Sequence, residues 1–532
     1  MNRWNEGQEQ AIGIRDKQVL VSAAAGTGKT AVLVERVLRR ILEDEPPLDM
    51  DRFLLVTFTN AAAQEMRERI SKALALRLEA APEDPRIQKQ QLLLGKAAIS
   101  TLHAFCLDLV RQHYPALGID PQSRILNDVE QTLLKQQVMD ELLEQQYLEE
   151  QPEFKDLALR FGGEKDDAPL RERILQIYEF AVCRPGSDRW LDRAASVFLD
   201  QQRALEAGQK LQVPFLSLLL EQSRTQVRKA VTELERAEQL AARFIPLKGY
   251  LPMLQADLEP LVELIHIEEW EAFQEILTGG RILFGRMPGI STKQGSDEAE
   301  VEYADRLRAQ NKIKALRNEA KERIKVLMAS LDGCTGDTMS REMAELAPAM
   351  SALTGLVKKF RQDYDQSKRE KSAMDFNDIE HWALRLLRNE DGSATDLALG
   401  LNTRFSEILV DEYQDINPMQ ETLLQALSET GCFFMVGDIK QSIYGFRQAE
   451  PNLFLEKYHV FKDSDAGSLV RLEENYRSSS RLIQGINAMF DVLMKPALGG
   501  IDYQTEGRLR SGLPPAPEEA CLHEECPLEL HI

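Results

Sequence analysis

The sequence predicts an α/β fold, with a parallel sheet built around a phosphate-binding loop, a large all-α insertion, and the start of a second α/β unit after it. Three observations predict this. Short β-branched runs alternate with helical stretches over residues 1 to about 115 and again over about 372 to 460, as in sheets whose strands are joined by crossover helices. The stretch "SAAAGTGKT" at residues 22–30 follows one such run and opens a helix. Between the two α/β stretches lies a long region of helical periodicity, rich in Glu, Gln, Leu and Arg.

Composition sets the outer limits. A chain of 532 residues is too long for one core and is expected to fold as about three domains. Its 43% hydrophobic and 28% charged residues exclude a disordered protein. No apolar run reaches the length of a membrane span, and "MNRWNEGQEQ" has no signal-peptide core, so a cytoplasmic protein with no membrane partner is expected. The six cysteines read as reduced thiols. A net charge of −21 excludes a protein that coats nucleic acid non-specifically, but it is compatible with a basic groove on an acidic body.

Taken in order, "KQVLVSA" is the first strand and leads into the loop. The pattern G-x-x-x-x-G-K-[ST] asks for glycine where this chain has Ala23, a small change if that residue keeps a negative φ. Ala25, Gly26, Thr27 and Gly28 can turn backbone N–H groups toward phosphates, with glycine where a side chain would crowd the anion. Lys29 can bridge the outer phosphates, and Thr30 offers a hydroxyl to Mg²⁺ in the first turn of the helix "TAVLVERVLRRI". "RFLLVTF" and "AAIST" are further strands. The insertion, read as residues 116–371, is broken by the turn-rich "CRPGSDRW" and "GRMPGISTKQGSDE". In "NKIKALRNEAKERIKVLM", Lys314, Arg317, Lys321 and Lys325 fall near one helix face, with Ile313, Leu316, Ile324 and Leu327 on another. That face reads first as solvated, with contact to duplex DNA as the functional alternative.

After the insertion, residues 372–460 return to the first α/β unit begun by residues 1–115. The buried strand in "ILVDEYQD" delivers Asp411 and Glu412 at its C-terminal end, where ligands of open α/β sheets bind. Asp411 is assigned to the metal and Glu412 to the attacking water. "CFFMVGD" is the next strand, and residues 461–532 begin the second unit with "GSLVRLEENYRSSSRLIQGINAMF". Cys521, His523, Cys526 and His531 fit no common zinc spacing and read as incidental.

The segments "WNEGQEQAI", "AAAGTGKT", "TFTNAAAQEMRERI", "STLHAFC", "DEYQDINPMQ", "VGDIKQSIYGFRQAEP" and "RLEENYRSSSRLI" resemble, in this order, the motifs of superfamily 1 DNA helicases of the UvrD, PcrA and RecB group. In that family the first glycine of the loop is often alanine. The resemblance implies a RecA-like ATPase domain carrying the insertion and the start of a second RecA-like domain, using ATP and Mg²⁺ to move 3′ to 5′ along single-stranded DNA and unwind duplex. The length of the insertion favours AddA or RecB over UvrD or PcrA, and the wording of the loop, of "STLHAFC" and of "IKQSIYGFRQAEP" is most similar to the AddA family of helicase-nucleases, which implies an AddB-like partner subunit in a heterodimer for double-strand break repair. The later helicase motifs and the nuclease of that family are expected beyond Ile532, so little activity is expected of this chain by itself. A UvrD- or PcrA-type repair helicase, or a nucleotide-dependent DNA-binding module without motor activity, are the alternative readings.

Family roles transfer to matching positions. The resemblance implies that Gln8 reads adenine, Tyr476 stacks on it, Arg477 reaches the γ-phosphate, and Gln441 senses that phosphate. It implies DNA contacts at Phe58, Thr59 and Asn60, at Thr101, His103 and Phe105, and at Tyr444, Phe446 and Arg447. Asp375 and Phe376, in "MDFNDIEHWALRLL", are implied to brace the DNA groove.

Overall fold

The computed structural model describes residues 4–163, 166–209, 211–294, 299–494 and 501–513. The Cys521, His523, Cys526 and His531 group lies outside them. The chain forms two compact units, one of Met1–Gln145, Ala168–Trp190 and Val357–Ile532, the other of Gln146–Asp167 and Leu191–Leu356. Parts of the stretch read as a single insertion, residues 116–145, 168–190 and 357–371, thus cluster with the first unit.

The first unit is built on six parallel strands: β1 (Gln18–Ala23), β2 (Phe53–Thr57), β3 (Ala98–Thr101), β4 (Glu407–Val410), β5 (Cys432–Gly437) and β6 (Ser468–Leu472), in the spatial order β3-β2-β4-β5-β1-β6. Alternate residues serve opposite faces. Leu20, Leu54, Val56, Ile408, Val410, Phe433 and Met435 pack on one side, and Val19, Val21, Phe53, Leu55, Leu409, Phe434 and Val436 on the other. Burial on both faces is why these strands read as unbroken apolar runs rather than as alternating ones. The sequence reading gives residues 468–472 to the second unit, whereas β6 pairs with β1 from Val19↔Ser468 to Ala23↔Leu472. The physical reason is the edge: β6 takes up β1's otherwise unpaired backbone groups, and Val470 and Leu472 extend the core that Val19 and Val21 line.

Helices α1 (Glu6–Gly13), α2 (Lys29–Leu42) and α3 (Asn60–Ala80) cover one face. Helices α4 (Leu102–Gln112), α5 (Phe376–Leu387), α6 (Pro418–Leu427) and α7 (Pro451–Asp463) cover the other. Because β1 is followed by a helix on one face and its neighbour β5 by a helix on the other, a crevice opens at the C-terminal ends of these strands, the usual ligand position in such sheets. An ion pair hidden from periodicity arguments locks α2 to the sheet. The fully buried Arg36 guanidinium donates to Glu407 Oε1 at 2.5 Å and to the carbonyls of Ala11 and Ile14, and it lies 4.0 Å from the Phe434 ring centre.

The second unit is helical, with a core between Leu216–Arg243, Leu251–Ile265 and Glu300–Leu331. It changes the reading of the basic face. Arg317 is buried, with Nε 2.6 Å from Asp257 Oδ2 and Nη2 donating to the Gly285 carbonyl at 2.7 Å, so it is not available to DNA.

Candidate functional site

All strands run parallel, so their C-terminal ends lie along one edge, and each is followed by one of the segments singled out in the sequence. The loop after β1 has the required backbone: Gly26 and Gly28 adopt φ +73° and +85°, the left-handed region that favours glycine. Ala23 is the buried last residue of β1, in extended backbone, so it replaces glycine without strain. Gly28 caps α2, whose first residues are Lys29 and Thr30. The exposed N–H groups and positive end of that helix make the loop an anion site.

Lys29 Nζ lies 3.2 Å from Glu412 Oε2. Glu412 has φ +54°, a strained setting for a residue with a side chain, and its N–H donates to Asp411 Oδ1 at 3.0 Å. Burial and the charge of Glu412 push the Asp411 carboxyl up to about 6, and the same two causes push Asp415 up to about 6. Three carboxylates thus share one lysine. An under-compensated hard oxygen donor of this kind fits Mg²⁺, and Asp411 and Thr30 are the groups that would hold it.

Sequence reasoning missed the amide that organises this acidic corner. Gln414 Nε2 donates to Glu412 Oε2 at 2.9 Å and Asp415 Oδ2 at 3.1 Å, while its Oε1 accepts the Asp438 N–H at 2.9 Å. A Cβ on Gly437 would stand 2.5 Å from that Oε1, so β5 must end in glycine for Gln414 to reach. Asp438 in turn accepts from Gln441 Nε2 at 2.7 Å and pairs with Lys440 at 2.8 Å. Gln441 is thereby linked to Glu412 through Asp438 and Gln414. The available signal was the polar pair "QD" that follows the acidic pair by one residue.

The groove lies beside it. A cavity of about 820 Å³ is lined by Phe58, Thr59, Asn60, Thr101, His103, Phe376, Phe446 and Arg447, together with Asp411 and Glu412. Thr59 and Thr101 accept from the N–H groups of Ala62 and Ala104, capping α3 and α4, which leaves these helix starts facing the cavity. Phe58 and Tyr444 are 4.4 Å apart between ring centres, and Tyr444 and Phe446 are 5.6 Å apart. The Arg447 guanidinium lies within 5.9 Å of all three rings, while Phe446 is 76% exposed. An exposed aromatic beside a cation is suited to stacking bases of any sequence. His103 Nε2 sits 3.0 Å from the buried Glu380 carboxylate, which also accepts from Gln420, and its ring lies 4.8 Å from that of Phe376. Two groups named with the groove face elsewhere. Phe105 packs edge-on to Phe405 at the core, and Asp375 caps α5 and pairs with the buried Lys368 at 3.1 Å.

At the other end of the row, Gln8 is buried. Its Oε1 accepts the Asn5 N–H and its Nε2 donates to the Thr27 carbonyl at 3.0 Å, leaving one donor and one acceptor position of the amide unused. Beyond β6, the Tyr476 hydroxyl meets Glu474 and Asn5, its ring packs on Gly512, and Arg477 is exposed.

The model of the UvrD/REP helicase N-terminal domain matches residues 4–462. The chain is similar to AddA of the ATP-dependent helicase/nuclease of Acetivibrio thermocellus, 37% identical over 527 residues that cover 96% of this chain and 41% of that protein. It is similar also to the AddA proteins of Geobacillus thermodenitrificans, 37% identical over 526 residues and 41% of that protein, and of Clostridium perfringens strain 13, 38% over 522 residues and 40%. The chain therefore spans about two fifths of the length of these curated relatives.

Proposed function

The chain belongs to the UvrD/REP helicase family, and from that premise we propose that it is the motor portion of an ATP-dependent DNA helicase of the AddA helicase/nuclease type, working in the cytoplasm in double-strand break repair. One observation carries the reading: Asp411 and Glu412 line the same cavity as Phe58, Phe446 and Arg447, so the hydrolytic pair and the stacking groove share a wall.

The phosphate loop holds ATP, and Gln8 reads the adenine edge with its spare donor and acceptor while Tyr476 stacks on the ring. Lys29, 3.2 Å from Glu412, binds the outer phosphates, and Glu412 orients the attacking water. Thr30 and Asp411 would hold Mg²⁺, which would neutralise phosphate charge. Gln441 reports the γ-phosphate to Glu412 through Asp438 and Gln414, and Arg477 stabilises charge on that phosphate. Phe58, Tyr444 and Phe446 stack bases with Arg447 beside them, while Thr59, Asn60, Thr101 and His103 hold the backbone of single-stranded DNA. Translocation runs 3′ to 5′, and an AddB-like protein is the partner, in keeping with the relatives being named as one part of a helicase/nuclease. Keeping Lys29, Asp411 and Glu412 together favours a working motor over a DNA-binding module that has lost hydrolysis.

The test is titration of this chain with a fluorescent ATP analogue and with labelled single-stranded oligonucleotide. Saturable nucleotide binding that Lys29→Ala abolishes, and salt-sensitive oligonucleotide binding, are expected. Equal nucleotide binding by Lys29→Ala rejects the site. Unwinding of 3′-tailed against 5′-tailed duplexes by a protein carrying this chain tests direction.

A further inference from the structure

Asn475 has been assigned no role, yet its side chain links the phosphate loop directly to the backbone of Arg477. It is 3% exposed and uses both ends of its amide. Nδ2 donates to the Ala25 carbonyl at 2.7 Å, and Oδ1 accepts the N–H groups of Arg477 at 2.9 Å and Ser478 at 2.8 Å. The neighbouring Tyr476 N–H donates to the Gly26 carbonyl at 2.9 Å, and the Asn475 carbonyl accepts from Gly512 at 2.9 Å, which anchors the turn from behind.

The consequence follows from peptide geometry. A planar trans peptide points its N–H opposite to its C=O. With the Ala25 carbonyl held outward by Asn475, the Gly26 N–H of the same peptide faces away from Asn475, toward the hollow of the loop where an anion binds. The approach is close enough to dictate the residue at 26: a Cβ there would lie 2.7 Å from Asn475 Nδ2 and 2.8 Å from the Arg477 Cβ. Gly26 is therefore required by the segment behind the loop as well as by the ligand in front of it.

We propose that Asn475 is a positioning residue that couples the phosphate loop to the arginine-bearing turn. It orients the Ala25–Gly26 peptide for phosphate and, through the opposite end of the same amide, sets the backbone from which Arg477 reaches. An anion that pulls on the Gly26 N–H strengthens the hydrogen bond made by the Ala25 carbonyl, since a polarised peptide is a better acceptor, and thereby tightens the Arg477 turn. This inference rests on the reading of the loop as the ATP site.

Two measurements test it. The first needs no substitution: amide hydrogen exchange of the chain with and without ATP and Mg²⁺. Protection is expected in the loop, residues 24–30, and also at the N–H groups of Arg477 and Ser478, with exchange slowed about tenfold or more. Protection in the loop with no change at 477–478 overturns the coupling while leaving the ATP site standing; no protection in the loop removes the ATP site itself, and the inference with it. The second is a double-mutant cycle on the preference for ATP over ADP. If Asn475 acts through Arg477, then Asn475→Ala and Arg477→Ala each reduce that preference by a similar factor and the double variant reduces it no further. Losses that multiply in the double variant, or equal loss of ATP and ADP in Asn475→Ala, assign Asn475 a merely structural role and overturn the proposal.

Discussion

Replacing Asp411 with asparagine should make the ligand-free protein more stable while disabling it. The carboxyl is pushed up to about 6 from an ordinary value of 3.8 by burial and by Glu412. At about 1.4 kcal/mol per unit, holding it ionised above pH 6 costs the fold up to about 3 kcal/mol. Because the group borders a cavity that admits solvent, a gain of about 1–2 kcal/mol is expected from Asp411→Asn at pH 7.5, or about 1–3 °C in Tm. The amide oxygen can still accept the Glu412 N–H, so that donor keeps its partner. The sign fixes the pH dependence. A carboxyl whose folded value is raised carries no penalty below about pH 3.8, a growing one through the window from 3.8 to 6, and the full one above it. The Tm difference between variant and wild type should therefore shrink by about half on going from pH 7.5 to pH 5. Thermal melts of both proteins at the two pH values decide it. A variant less stable than wild type at pH 7.5, or a gain independent of pH, would refute the account of Asp411 as an under-compensated buried charge.

Glu412→Gln, in a protein carrying this chain, should keep nucleotide affinity within about threefold and lower steady-state turnover by several powers of ten, since the group that orients water is lost while the phosphate contacts remain. Near-normal turnover would hand that role to another residue. Phe446→Ala should weaken single-stranded DNA binding by about 1–3 kcal/mol, read by anisotropy, with little effect on Tm because the ring is exposed. Glu407→Gln should cost about 3–5 kcal/mol in chemical denaturation by leaving Arg36 buried without its counter-charge, and an effect below about 1 kcal/mol would show that the carbonyls of Ala11 and Ile14 suffice for it.

What the sequence made legible was whatever depends on local order. The phosphate loop needs adjacent residues, and the strands needed only their apolar runs, so both could be read directly. The fate of the strand at residues 468–472 could not, because edge pairing with β1 is decided by a segment more than four hundred residues away. Side chains whose role depends on a distant partner were equally hidden. Arg36 reads as one more charge on an amphipathic helix until Glu407 is found against it, and Arg317 reads as part of a basic face until Asp257 is. Phe105 shows the limit of motif reading, for its position in "STLHAFC" matches while its ring turns to Phe405 and the core.

The proposed function also explains why the acidic corner can be unfavourable by itself. Asp411, Glu412 and Asp415 crowd the ends of adjacent backbone with Lys29 as their nearest cation, and Glu412 holds a backbone angle that costs about 1 kcal/mol or more. In the motor proposed above, a cation arriving with its nucleotide would relieve such a cluster. The relief is largest for the charge on Asp411 and is passed on through Gln414, which holds Glu412 and Asp415 with one nitrogen and the Asp438 N–H with its oxygen. A strained and charged corner is therefore a poor contributor to stability but a sensitive detector. A site that must register the arrival and loss of a phosphate on each cycle is better served by a set of groups that changes energy sharply on binding than by one already satisfied without ligand.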